Sequence, residues 1–274
     1  PVGGIPGGMS KPITEEQRKD FEAKAKSCVE FSKFSLKLFN DVVLANKDYL
    51  NIITGNIYTM KSYYMGLVDS KNKVNFYDGD VRVVDLDGKE VAKFKPAQYL
   101  DYVAEHTEPW SYLKFPFLKK VGWKGFVDGQ DSGVYQATPL SRLNAADGMA
   151  TPKAQAAYDE FYKTLGGKPV PHTLANHWAR VIEMIYAAER MEQLINDPEI
   201  TSPEVRRVPT TVPKEGIGVV EAPRGTLIHH YVLDAEGMTK DANLIVATTN
   251  NHAAISLSIR NAAKAVIHGG DLSD

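Results

Sequence analysis

The chain is expected to adopt an α+β fold that is mainly helical and carries small antiparallel β-hairpins. Apolar residues recur at helical spacing over much of 14–65 and 152–196. Asp87-Gly88 lies between two runs of β-forming residues, which is a strong hairpin signal. Strand-like runs near 217–222, 226–233 and 242–248 alternate with tight-turn residues.

The opening stretch, PVGGIPGGMSKPI, is too rich in Gly and Pro to hold regular structure for long. Lys11 follows glycines, but the GxxxxGK[ST] spacing of a phosphate loop is absent. Thr14 and Gln17, three residues apart, form a capping box that opens a helix. Phe21, Ala25, Cys28, Val29, Leu36, Phe39, Val42 and Val43 keep the helical period, so this helix is expected to reach about Asn46. Cys28 falls on the apolar face and reads as a small core residue. A less regular helical segment is expected over about 47–65.

VRVVD and EVAKF flank the Leu86–Lys89 turn and make a hairpin within about 74–95, followed by a short helix near 97–105. Residues 107–151 are turn-rich and aromatic without periodicity. Such a segment is either pinned by packing or offers a surface to a partner subunit. Helices are expected at about 152–165, ending at Gly166-Gly167, and at about 171–196. In the second, Leu174, Trp178, Val181, Ile182, Ile185 and Tyr186 share one face and read as core. His172 and His177 are five apart, which is poor spacing for chelation from one helix face. A Pro-containing connector spans 198–216, the β-rich segment covers 217–248, and a terminal helix is expected over about 251–267.

A net charge of −2 gives no electrostatic footprint for nucleic acid or an anionic membrane. No apolar run approaches the ~20 residues that span a bilayer, and the start lacks the pattern of a signal peptide. The first methionine is Met9, which leaves open either initiator removal before Pro1 or an internal boundary. One cysteine excludes an internal disulfide and is compatible with a reducing compartment.

Few catalytic schemes fit the residues alone. CxxC, HExxH and GxSxG patterns are all missing. His229 and His230 are adjacent on a strand, so they point to opposite faces, and at least one reads as a buried, hydrogen-bonded imidazole. Arg224 differs, because Pro223 and Gly225 constrain it on a sharp turn suited to a preorganised charge. A structural arginine tying down the hairpin is the competing reading. Thr248, Thr249, Asn250 and Asn251 could cap the next helix, the default, or present hydroxyls to a ligand.

EAPRGTLIHHY closely resembles a motif of the large, catalytic subunit of nickel-iron hydrogenases. PVGGIPGGMSKPI, YLKFPF, PLSRLNAAD, HTLANHWARVIEMIYAAERMEQLINDPEI and NLIVATTNN are similar to other segments of that subunit, in family order. The likeness is greatest to the cytoplasmic, methyl-viologen-reducing and cofactor-coupled branch. It implies a helical bundle core and a parent enzyme that reversibly oxidises dihydrogen. It also implies a nickel-iron centre carrying carbon monoxide and cyanide, and a structural magnesium. The implied partners are an iron-sulfur small subunit plus a further electron-accepting subunit.

By this resemblance Arg224 sits over the metals, hydrogen-bonds a cyanide and acts as base or polarising group, while Pro223 lines the same canopy. Thr248 matches a donor to the other cyanide. Ala247 stands where many relatives have proline, and Leu244 matches a position whose backbone carbonyl binds magnesium. The family's two cysteine-pair motifs are absent, so residues 1–274 read as a single fragment of a larger domain. That fragment is expected to bind neither metal and to be inactive alone. The alternative is a metal-free scaffold or quinone-site subunit, related to the hydrogenase-like subunit of respiratory NADH dehydrogenase.

Overall fold

The computed structural model describes residues 3–208 and 210–272. Pro1 and Val2 of the Gly-rich start and Pro209 of the connector lie outside the described residues. A small ribbon, β1 (Gly4–Ile5) and β2 (Gly8–Met9), rests on the connector, where the Met9 N–H donates to the Val205 carbonyl at 2.9 Å. Helix α1 (Glu15–Phe39) begins at the capping box: Thr14 Oγ1 accepts from the Gln17 N–H, and Gln17 Oε1 accepts from the Thr14 N–H. It gives way to a π turn at Asn40–Leu44 before α2 (Lys47–Thr54), which Asn46 caps.

Cys28 is exposed, contrary to the core position expected for it. Helix α1 leans on the later helix α6 through Ala25, Val29 and Ser32, and Cys28 lies to one side of that stripe. It borders an open groove with Phe21, Met191 and Leu194.

The helical segment expected over 47–65 is cut short by β3 (Tyr63–Val68), whose six residues YYMGLV are all buried. A run buried on both faces carries no period, so spacing cannot separate strand from helix there. Strands β4 (Asp80–Val84) and β5 (Glu90–Phe94) flank the Asp87-Gly88 turn, with Gly88 at φ +79°. The short helix near 97–105 shrinks to α3 (Tyr99–Tyr102), and the chain continues extended as β6 (Val103–Thr107) against β7 (Lys114–Leu118). In the aromatic segment Phe115 is fully buried, 5.1 Å from Phe126 and 6.0 Å from Trp123, while Trp110 and Tyr112 stay exposed.

Strand β8 (Tyr135–Gln136) adds parallel to β3 and completes a four-stranded sheet of order β5-β4-β3-β8. Helix α4 (Pro139–Ala145) is buried at every residue and packs on β3. Helices α5 (Pro152–Thr164) and α6 (Asn176–Ile195) follow. Trp178 of α6 is buried between Phe39 and Phe161. Strands β9 (Glu215–Ala222), β10 (Gly225–Leu233) and β11 (Thr239–Ile245) form an antiparallel sheet of order β11-β10-β9. Helix α7 (His252–Val266) and the ribbon β12 (Ile267–His268) with β13 (Asp271–Leu272) end the described chain.

The result is a mixed helix-and-strand architecture, with a larger strand share than the sequence suggests because β3 and β6 replace helix. Among the described residues no helix is long and apolar enough to cross a membrane.

Candidate functional site

The β9–β10 hairpin pairs Ala222 with Gly225, leaving Pro223 and Arg224 as a two-residue loop. Gly225 adopts φ +150°, and a Cβ there would lie 2.2 Å from the Ala137 carbonyl oxygen. The obstacle is backbone, so it cannot swing aside. Gly225→Ala is therefore expected to destabilise the protein by about 1–3 kcal/mol, as overpacking does. A thermal midpoint equal to wild type would refute this close approach.

The last carbonyl of β9 and both carbonyls of the loop each receive a side-chain donor. Arg142 Nη1 donates to Ala222 O at 2.9 Å, Arg180 Nη1 to Pro223 O at 2.7 Å, and Asn251 Nδ2 to Arg224 O at 2.9 Å. The Arg224 side chain is exposed, and its Nε donates to Thr248 Oγ1 at 3.1 Å. Neither Arg224 Nη1 nor Nη2 has a hydrogen-bond or ion-pair partner among the described residues.

Arg224, Thr248, Arg180, His177 and Asn251 line one cavity of about 340 Å³, closed on one side by Ala254, Ile255 and Ile259 of α7. Pro223 opens instead on a neighbouring cavity of about 350 Å³ with Arg142, Glu183 and Glu221, and Arg180 borders both. Ala247, next in sequence to the lining residue Thr248, is buried and at φ +35° and does not itself line the first cavity. Leu244 sits on β11 opposite His229 and does not line either cavity. Arg224 and Thr248 are thus brought together, with Pro223 and Ala247 adjoining and Leu244 farther along the sheet.

His172, His229 and His230 are held by protein partners. His230 is buried between the Tyr99 hydroxyl at 2.9 Å and Glu215 at 2.7 Å, and His229 hydrogen-bonds the Tyr231 hydroxyl. His172 bonds Thr59 Oγ1 at 3.1 Å, and burial lowers its pKa. Asn250 and Asn251 do not cap α7, which has no side-chain cap. They are buried and tie β8 to the hairpin instead: Asn251 Oδ1 accepts from the Ala137 N–H at 2.8 Å, and Asn250 Nδ2 donates to Thr226 O at 2.6 Å.

The sequence reading assigns no role to the buried charges beneath the loop. Arg142 is 1% exposed; its Nε and Nη2 meet both Glu183 oxygens at 2.6 and 2.7 Å, and its Nη1 meets Glu221 Oε2 at 2.8 Å. Burial alone would lower the Arg142 pKa, but the two carboxylates outweigh it and hold the guanidinium above its usual range. Burial raises Glu221 above its usual range against the pull of Arg142. A clue was present: Arg142 is the one charge amid the apolar and small residues of PLSRLNAA, 139–146.

Among the described residues no three His, Cys, Asp or Glu side chains are placed to hold a metal ion. A guanidinium, a hydroxyl and amides converge on the cavity instead. These donors suit an anionic ligand rather than a bare cation.

Residues 10–262 match the family described as nickel-dependent hydrogenase. The chain is 50% identical over 264 residues to an iron-sulfur subunit of the F420-non-reducing hydrogenase of Archaeoglobus profundus, covering 96% of this chain and 54% of that protein. It is 40% identical over 264 residues to a subunit of the vhu F420-non-reducing hydrogenase of Methanococcus voltae, covering 96% of this chain and 60% of that one. A crystal structure of an NAD+-reducing NiFe-hydrogenase in the H2-reduced state superposes with a TM-score of 0.86 at 31% identity, covering 98% of this chain and 57% of the other. The chain therefore spans somewhat more than half the length of these relatives. Its match over nearly its whole length shows that it belongs to the nickel-dependent hydrogenase family.

Proposed function

We propose that this chain forms one wall of the metal site in the large subunit of a nickel-iron hydrogenase that reversibly oxidises dihydrogen. A single observation carries the reading: in a chain of this family, Arg224 is held on a two-residue loop with its Nε on Thr248 and both terminal nitrogens without a protein partner among the described residues. The nickel-iron centre, when bound, supplies the splitting of dihydrogen. Arg224 offers the planar donor fork that recognises an anionic diatomic ligand or takes part in proton movement. Thr248 accepts from Arg224 through its oxygen, so its own proton remains for a second acceptor, a cyanide on iron.

Pro223 and Ala247 shape the surroundings of that wall, and the Leu244 carbonyl is the proposed magnesium ligand. Cysteine pairs that could ligate the metals are not among residues 1–274, so the chain alone is expected to be inactive. Phe31, Phe34, Leu38 and Val42 form an exposed apolar stripe on the first helical stretch, which the remainder of a full-length subunit would cover. An iron-sulfur small subunit, together with a further electron acceptor in the cytoplasm, completes the proposed assembly. The metal-free scaffold reading is not favoured, because the relatives are named as hydrogenases.

Thr248→Val in the complete holoenzyme is expected to shift the infrared cyanide bands, because the hydroxyl donor is lost while the shape is kept. Unchanged bands would remove Thr248 from the ligand shell.

A further inference from the structure

We propose that Arg142, Arg180 and Asn251 are positioning residues that clamp the Pro223-Arg224 loop, so that the aim of the Arg224 guanidinium is set from beneath the hairpin. This rests on the reading of Arg224 given above. An exposed two-residue loop can satisfy its carbonyls with water. Here the carbonyls of Ala222, Pro223 and Arg224 are each taken by a side chain from a different element: α4, α6 and the 3-10 turn Ala247–Asn251. Donors from three directions leave the loop little freedom to rock. Rocking is the motion that would move Arg224.

The clamp is anchored in the core. Arg142 can reach the loop because α4 lies directly on β3 at Gly66, where a Cβ would stand 2.8 Å from the Arg142 Cα. Glu183 of α6 holds the Arg142 guanidinium in bidentate geometry, which fixes its plane. Glu221, two residues before Pro223, closes the frame. Its Oε2 takes Arg142 Nη1, and its Oε1 accepts from the Leu67 N–H at 2.7 Å and from Thr226 Oγ1 at 3.1 Å. The same guanidinium nitrogen thus binds both the Glu221 carboxylate and the Ala222 carbonyl, locking the end of β9 to α4. On the far side Asn251 joins the Arg224 carbonyl to the Ala137 N–H. Arg180 is the most accessible member, exposed on α6 and forming the partition between the two cavities. No carboxylate lies within ion-pair distance of Arg180 among the described residues, and its hydrogen bond there goes to the Pro223 carbonyl.

The test uses Arg180 in the complete, metal-loaded hydrogenase, because an exposed residue can be changed without unpairing the buried carboxylates. Arg180→Met is expected to lower kcat per metal-loaded enzyme about 10-fold or more, since misplacing a reacting group by ~1 Å can cost up to 10²-fold. The KM for hydrogen should hardly move. The second readout is labelling of Arg224 by phenylglyoxal, followed by peptide mass spectrometry, which should speed up several-fold as the loop loosens. Arg180→Lys, which returns one donor to the Pro223 carbonyl, should restore most of both properties. Unchanged labelling of Arg224 would overturn the clamp, whereas faster labelling with full turnover would keep the clamp and overturn the role of Arg224 in turnover. Asn251→Ala provides a second variant with the same expectations if Arg180→Met assembles poorly. The underlying site reading fails separately: turnover is then untouched by Arg224→Lys, whereas the labelling change still reports on the clamp.

Discussion

Arg224→Lys in the complete hydrogenase is expected to lower hydrogen turnover roughly 10²–10³-fold, the range seen when one preorganised donor aimed at developing charge is removed. Nickel and iron content should be unchanged, because Arg224 is no metal ligand. The size of the effect follows from geometry. The guanidinium uses Nε to hold Thr248 and keeps Nη1 and Nη2 for the cavity, so one planar group does two jobs at a fixed angle. A lysine ammonium is a point charge on a flexible stem and cannot both hold the threonine and present a fork. Wild-type turnover in this variant would reduce Arg224 to a structural tie for the hairpin.

The second large effect is on stability. Arg142→Met is expected to destabilise the protein by about 3–5 kcal/mol, the usual cost of removing one partner of a buried ion pair and leaving the other charge unpaired. Glu221 is already above its ordinary range through burial, with the Glu183 charge adding to the rise and Arg142 opposing it. A carboxyl raised in the folded state contributes stability that is present below its unfolded pKa and lost as pH rises through the folded value. Removing Arg142 takes away the opposing charge. The deficit should therefore be largest at neutral pH and shrink as pH falls towards about 4.3, the ordinary glutamate value. Thermal midpoints of both proteins across that pH range check the sign. A deficit independent of pH would place the loss in packing rather than charge.

Much of the local structure was legible in the chain. Thr14 and Gln17 mark the start of α1 because both bonds of the capping box close over three residues. Asp87-Gly88 marks its hairpin because the turn asks for a residue tolerant of positive φ. Pro223, Arg224 and Gly225 mark a tight loop for similar reasons. Such features depend on neighbours in sequence, and residue type carries them.

Other features depend on what folds against them. The stretch YYMGLV shows no period of its own, and only its pairing between β4 and β8, with α4 packed on it, makes it strand rather than a continuation of the helix. Cys28 looks like core until α1 meets α6 along a different line, through Ala25, Val29 and Ser32. Asn250 and Asn251 look like helix caps until β8 supplies buried partners more than a hundred residues away in sequence. Arg142 carries no sign that its carboxylates are Glu183 and Glu221, which lie 41 and 79 residues further along the chain. The identity of Arg224 and the sharpness of its turn were thus written locally. The direction in which that arginine points was set by packing, because the donors that hold its loop come from elements that meet only in the folded chain.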